Sequence, residues 1–298
     1  MKKNEHSFPF GIYCGELVDK NENFIPLLLP ETSGGFCILF DDDSEQKSNN
    51  LIENTALKLL EANSSANIEI NIFDYSIRKR FSHLSSFKTE GLYKIANKSQ
   101  LSNQKFTELE DIAFKRHDEL LTSKNRTISI YNQNSKYKEI YYLLIINLED
   151  FPDDLTSEKR FIELISAAHE AGMYVIAFGN KDVKRTNKKA RRFILEQYPI
   201  IEISKDKIAL KAHKSVEQLS KLIDKHECDI KLVNEDLGLI VENILNKIQR
   251  GNNENNEQDF LSVPIGTSLD GRVNINFTLG RFSDSYNAFI TGMAGKGK

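Results

Sequence analysis

Several familiar chemistries are missing from this sequence. Cysteine occurs three times, at Cys14, Cys37 and Cys228, too sparse and too far apart for a disulfide framework or a zinc site. That usage suggests free thiols in a reducing cytoplasm. No apolar run approaches the ~20 residues of a membrane helix; the longest, Tyr141 to Ile146, is the size of a strand. The basic start, Met1-Lys2-Lys3, is not followed by an apolar stretch, so it does not read as a secretory signal. A net charge of −3 exerts no global pull on nucleic acid, so any DNA contact must be a local patch. The six histidines show no H-x-x-x-H spacing and have no cysteine partner, so no metal site is expected. There is no G-x-S-x-G and no evident nucleophile–base pair.

What is present begins at the far end. Gly292, Gly297 and Lys298 fit G-x-x-x-x-G-K, with Gly295 between them, and the strand-like run Asn287 to Ile290 stands just before. Glycines in such a loop let backbone N–H groups turn toward phosphate, and the lysine neutralises the β and γ oxygens. The match predicts a nucleotide-binding loop cut before its Ser or Thr; the alternative is a Gly-Lys-rich tail.

The flank of this loop recurs near the start. Val263-Pro264-Ile265-Gly266, a turn at Asp270-Gly271 and the strand Val273 to Phe277 precede the second loop. Phe8-Pro9-Phe10-Gly11, the strand Phe24 to Leu29 and Gly35 to Phe40 precede the first. Aligned on the motif, Asp41 and Gln46 take the glycine places, and Lys47 and Ser48 take the Lys-Ser places. Three aspartates and Glu45 repel a triphosphate, and Gln46 does not readily replace a glycine at positive φ. The loop reads as a degenerate Walker A, or else as an acidic turn between strand and helix.

Between these loops the pattern alternates. Strands are expected at Ile68 to Phe73, Tyr141 to Ile146, Tyr174 to Phe178 and Ile200 to Ile203. Helices are expected at about Asn50 to Glu61, Phe106 to Leu121, Ser157 to Ala171, Ser215 to His226 and Asn234 to Arg250. This rhythm implies an α/β fold with a mostly parallel sheet flanked by helices. The polar stretch after Arg250 suggests three parts: a domain over 1–250, a linker over 251–260 and the start of a second domain over 261–298.

Arg116, Leu120, Arg126, Ile128, Tyr131 and Asn132, followed by the strand Leu143 to Ile146, resemble a motif of the FtsK/HerA-type P-loop ATPases. Glu163 to Phe178 is similar to that family's helix and sensor strand, and Leu195 to Ile203 to the strand after it. The resemblance implies a RecA-like fold, a homo-oligomeric ring, and ATP with Mg²⁺ in the complete second domain. The parent would hydrolyse ATP as a translocase of double-stranded DNA. The alternatives are a type VII secretion-like ATPase whose degenerate domain binds a protein substrate, and a scaffold without motor function. In the first domain Asn147 and Leu148 occupy the Walker B acid positions, and Gly179 or Asn180 the sensor position. No cofactor and no hydrolysis are therefore expected there, nor from this chain alone. Lys184, Arg185, Lys188, Lys189, Arg191 and Arg192 form the densest basic run; it reads either as a contact to DNA phosphates or as a solvated face.

Overall fold

A computed structural model describes residues 8–62, 67–75, 80–88, 92–96, 99–149, 155–182, 188–257, 259–267 and 274–280. The chain divides into two compact units, Met1–Ile244 and Leu245–Lys298. The first opens with strands β1 (Gly11–Val18), β2 (Phe24–Pro30) and β3 (Gly35–Phe40), then helix α1 (Glu45–Ala62). Next come β4 (Ile68–Phe73), β5 (Tyr93–Ala96), α2 (Ser99–Glu119), α3 (Ile128–Asn134), β6 (Tyr141–Asn147), α4 (Leu155–Ala168) and β7 (Met173–Asn180). Then follow α5 (Lys188–Gln197), β8 (Ile200–Ile203), β9 (Ile208–Leu210), α6 (Glu217–His226) and β10 (Asp229–Leu232). Helix α7 runs over Leu237–Glu257.

The frame is a seven-stranded sheet in the order β5-β4-β6-β7-β3-β8-β9. Its strands pair in parallel, except β9, which returns antiparallel to β8. Every residue of β6 and of β7 is buried. Strands covered on both faces lose the alternation of a one-sided sheet, which is why these two read as continuous apolar runs. One face packs on α2, α4 and α5 through Phe106, Leu109, Phe161, Ile165, Ala190 and Ile194. Each such side chain, taken from water, stabilises by about 1.5–3 kcal/mol.

Helix α1 touches β3, β4 and β7 and also β1, which belongs to a separate antiparallel sheet of order β10-β1-β2. It is therefore enclosed from two sides. Leu51, Ile52, Ala56, Leu57, Leu59 and Leu60 are buried, and so are the polar Ser48, Asn54 and Thr55. Gly15 makes this second layer possible. It sits at the bulge in β1 with φ +148°, and a Cβ there would stand 2.1 Å from the Lys231 carbonyl oxygen of β10. Only glycine admits that approach.

Several expectations shift. Helix α2 starts at Ser99 rather than Phe106, and Ser157 lies inside α4 rather than capping it. The stretch Gly251 to Glu257, expected as linker, continues α7, and no described contact accounts for it. The second unit carries β11 (Asp259–Thr267) and β12 (Asn274–Gly280), paired antiparallel. The turn at Asp270-Gly271 and the loop residues Gly292, Gly295, Gly297 and Lys298 lie outside the described residues. Among the described residues no helix is long and apolar enough to cross a membrane.

Candidate functional site

In an open parallel sheet, ligands gather outside the carboxyl ends of the strands, where the strand order reverses. Here that point is β3. Its chain leaves through α1 to β4, three strands away, while β8 later pairs on its opposite side. The loop at the end of β3 is Asp41-Asp42-Asp43-Ser44, folded as a tight turn that runs straight into α1.

Lys47 is exposed beside this loop. Its Nζ donates to the Lys205 carbonyl oxygen at 3.1 Å, beyond β8. Asp41 is tethered to the same place, accepting from the Lys205 N–H at 3.2 Å, with Lys181 Nζ 3.8 Å away. The Ser44 hydroxyl, the Lys205 amide and Lys181 hold the Asp41 carboxyl below its usual range, against a smaller opposing effect of desolvation. Gln46 bonds along its own helix to Asn50. Ser48 is wholly buried beneath the loop.

Next to the loop, the strand ends are joined to one another. Asn147, at the end of β6, is fully buried and donates from Nδ2 to Asp74 Oδ1 at 2.9 Å. Its Oδ1 accepts the Glu149 N–H at 3.0 Å, and Glu149 Oε1 in turn accepts the Asn180 N–H at 2.8 Å. Asn180 Nδ2 donates to Asp42, which brings the network back to the loop after β3. Asp74 lies just past β4, and Arg80 Nε stands 3.2 Å from its Oδ2. The same guanidinium pairs with Glu45 in the first turn of α1 and lies 5.8 Å from the centre of the Phe178 ring. A helix amino terminus favours an anion. In this chain the Glu45 carboxylate supplies one, and Arg80 neutralises it.

This donor set does not fit a magnesium triphosphate. Lys47 is bonded to the Lys205 carbonyl oxygen, the side chain at the end of β6 is the neutral Asn147 amide, and the loop carries negative charge. Leu148 is buried, its amide bonded to the Phe178 carbonyl oxygen at 2.8 Å, so it offers no acid either. Among the described residues no cluster of three His, Cys, Asp or Glu is arranged to hold a metal ion. Burial pushes the Cys37 thiol up to about 12 and Cys14 higher still, consistent with inert thiols.

The basic run splits. Arg191 turns inward and donates from Nη2 to the Asn180 carbonyl oxygen at 2.7 Å. Arg192 pairs with Glu196 one turn along α5, and Lys189 is exposed. Lys184 and Arg185 lie outside the described residues, as does the side chain of Lys188.

Two residues of the Arg116–Asn132 motif act at the opposite end of the sheet. Arg116 donates to the Ala171 carbonyl at 2.7 Å, the Ile140 carbonyl at 2.9 Å and Glu139 Oε2 at 2.8 Å. Asn132 exchanges two bonds with the Glu139 backbone, each 2.8 Å. Both clamp the entry to β6. Of the network residues, Asp74 was visible as the end of a strand and Glu45 as an acid in the loop. Arg80 had no local signal, because its partners lie 6 and 35 positions away in sequence.

No protein-family model matches the chain, and no curated protein matches it. Solved structures do. One is EssC (ATPases 2 and 3) from Geobacillus thermodenitrificans, at TM-score 0.57 and 11% identity, covering 91% of this chain and 59% of that one. A second is the cytoplasmic domain of EssC, at TM-score 0.53 and 13% identity, covering 90% of this chain and 59% of that one. The chain thus spans about three-fifths of each. With the parallel sheet and the β3 switch point, this likeness shows the fold: a mostly parallel α/β sheet flanked by helices, shared with these ATPase structures.

Proposed function

We propose that this chain is part of a type VII secretion-like ATPase, and that its first unit receives protein substrate or holds the assembly together without hydrolysing ATP. The observation that carries the second half is the closed network Asp42–Asn180–Glu149–Asn147–Asp74–Arg80–Glu45 at the carboxyl strand ends. Polar groups engaged with one another are poor hosts for a charged ligand, which must first break those contacts. The unit keeps a motor's scaffold and lacks the phosphate cradle, the metal acid and the water-orienting acid that phosphoryl transfer needs together.

The secretion-like setting is favoured by the EssC likeness. Reading the chain as a DNA translocase draws less support, since Arg191 is turned inward to the Asn180 carbonyl oxygen and Arg192 is paired with Glu196 on the surface. In this proposal ATP and Mg²⁺ belong to the second unit, at Gly292, Gly295, Gly297 and Lys298, and rings form from copies of the parent.

Two measurements test it. Phosphate release by the purified chain with Mg-ATP should stay at background, and steady release would refute the non-hydrolysing reading. Duplex DNA binding, followed by anisotropy, should be weak. A DNA motor using many phosphate contacts would instead bind tightly at low salt and lose about 10³-fold or more between 50 and 200 mM. That result would restore the DNA reading.

A further inference from the structure

Three helices cover one face of the main sheet in a row. α4 lies in the middle and touches both neighbours, and α2 also touches β5, the strand at one end of the sheet. Arg160 of α4 bonds to Glu110 and Thr107 of α2, and Glu158 accepts the Ala190 N–H of α5 at 2.9 Å. Each helix returns from the end of one parallel strand toward the start of the next, so all three run in the same direction. α2 and α5 stand at opposite ends of the row.

Their outer surfaces carry opposite charge. On α2, Leu109 and Ala113 are buried, while Asp111, Phe114 and Asp118 form one exposed stripe at helical spacing on the other side. Phe114 is 75% exposed. Neither aspartate has an ion pair among the described residues, and Lys115 beside them is matched by Glu119 at 4.0 Å. On α5, Ala190 and Ile194 are buried, while Lys189 and Arg192 are exposed. Lys189 has no ion pair among the described residues. Arg192 meets Glu196 of its own helix at 2.7 Å, a surface pair weak enough for another carboxylate to replace. An arginine between two carboxylates is attracted by both, and its flat guanidinium stacks on an aromatic face. Asp111, Phe114 and Asp118 present that combination, and α5 presents the matching cations. Within one molecule the two surfaces are kept apart by α4.

We propose that this helical face binds a second copy of the chain, about a two-fold axis that runs along the helices between the two α4. Rotation about that axis lays α2 of one copy on α5 of the other, and α5 on α2, so every attractive contact occurs twice. The partner's Arg192 lies on Phe114 between Asp111 and Asp118, and the partner's Lys189 sits one turn nearer Asp111. At the axis α4 meets its own counterpart. Its exposed Lys159 and Glu163 neutralise each other at 3.7 Å, so no net charge is pressed against itself there. The contact is set by the surface of the first unit and does not rest on the secretion-like reading.

Sedimentation equilibrium of the whole chain tests this. The chain should dimerise in dilute salt, and the dimer should weaken about tenfold between ~0.05 and ~0.5 M salt, because its ion pairs lie near solvent. Asp111→Lys combined with Asp118→Lys should leave a monomer, and so should Lys189→Glu combined with Arg192→Glu, with each fold checked by circular dichroism. Mixed in equal amounts, the two double variants should form a one-to-one dimer, since each presents the charge the other has lost. Phe114→Ala should weaken the dimer about two- to fivefold through the lost cation–π contact. The proposal is overturned if the chain stays monomeric in dilute salt up to its solubility, or if it forms assemblies larger than dimers. It is equally overturned if either double variant still dimerises, if mixing them restores nothing, or if Phe114→Ala leaves the affinity unchanged.

Discussion

The amino ends of β6 and β7 are closed by one cation among carbonyls and by aromatic rings. Arg116 ties Ala171, Ile140 and Glu139 together, while Phe8 packs against Tyr141 and Tyr174 at 5.2 and 5.4 Å. The carboxyl ends of the same strands are closed by a chain of carboxylates, amides and Arg80. The first closure joins the entries of two neighbouring strands, β6 and β7. The second joins β3, β4, β6 and β7 at the place where the fold offers a ligand its seat. In such a network each charge leans on its neighbours, since an orphaned buried charge costs far more than a lost packing contact. The two ends differ in kind: an arginine among carbonyls and aromatic rings closes one, and carboxylates, amides and Arg80 close the other.

Breaking the carboxyl closure should do the most damage. Arg80→Ala leaves Glu45 and Asp74 without their shared cation, and urea unfolding should show a loss of about 3–5 kcal/mol near neutral pH. A loss under about 1 kcal/mol would mean the network does not close the site.

At the amino end, Arg116→Ala should cost about 2–3 kcal/mol by the same measurement, the usual range for hydrogen bonds to a charged donor. Lysine in its place should recover only part of this, because a point charge cannot span three acceptors. Parity with Arg80→Ala would erase the contrast between the ends. Away from both, Gly15→Ala should cost about 1–3 kcal/mol through strain at the β10 approach, read as a lowered urea midpoint. Asn147→Asp places a second carboxylate beside Asp74; it should destabilise by about 1–2 kcal/mol, less so in mild acid, and produce no phosphate release. Least of all, Lys47→Ala should change stability by under about 0.5 kcal/mol and leave nucleotide affinity of the chain unaltered. A clear drop in affinity would show that the first loop still grips phosphate.

Much of this was legible in one dimension. The runs Tyr141 to Ile146 and Tyr174 to Phe178 announced buried parallel strands, because burial on both faces removes alternation. The acidity of residues 41–45 and the amide at 147 were equally plain. The short β5 and β9 escaped notice, since runs of four and three residues carry too little periodicity. Arg116 and Asn132 stood out as a motif, yet nothing in the string showed that they clamp the entry to β6. The basic run read as one patch; the fold turned Arg191 inward and left Arg192 on the surface.

The amino-acid order by itself determined the α/β frame and the chemistry available at the end of each strand, because periodicity and residue type are local properties. Tertiary structure alone decided which of those groups meet. Asn147 reaches Asp74 across 73 positions of sequence, and Asp42 reaches Asn180 across 138. Such pairings follow from the order of strands in the sheet. Strand order is set by how helices pack over the whole sheet, which no single stretch of chain encodes.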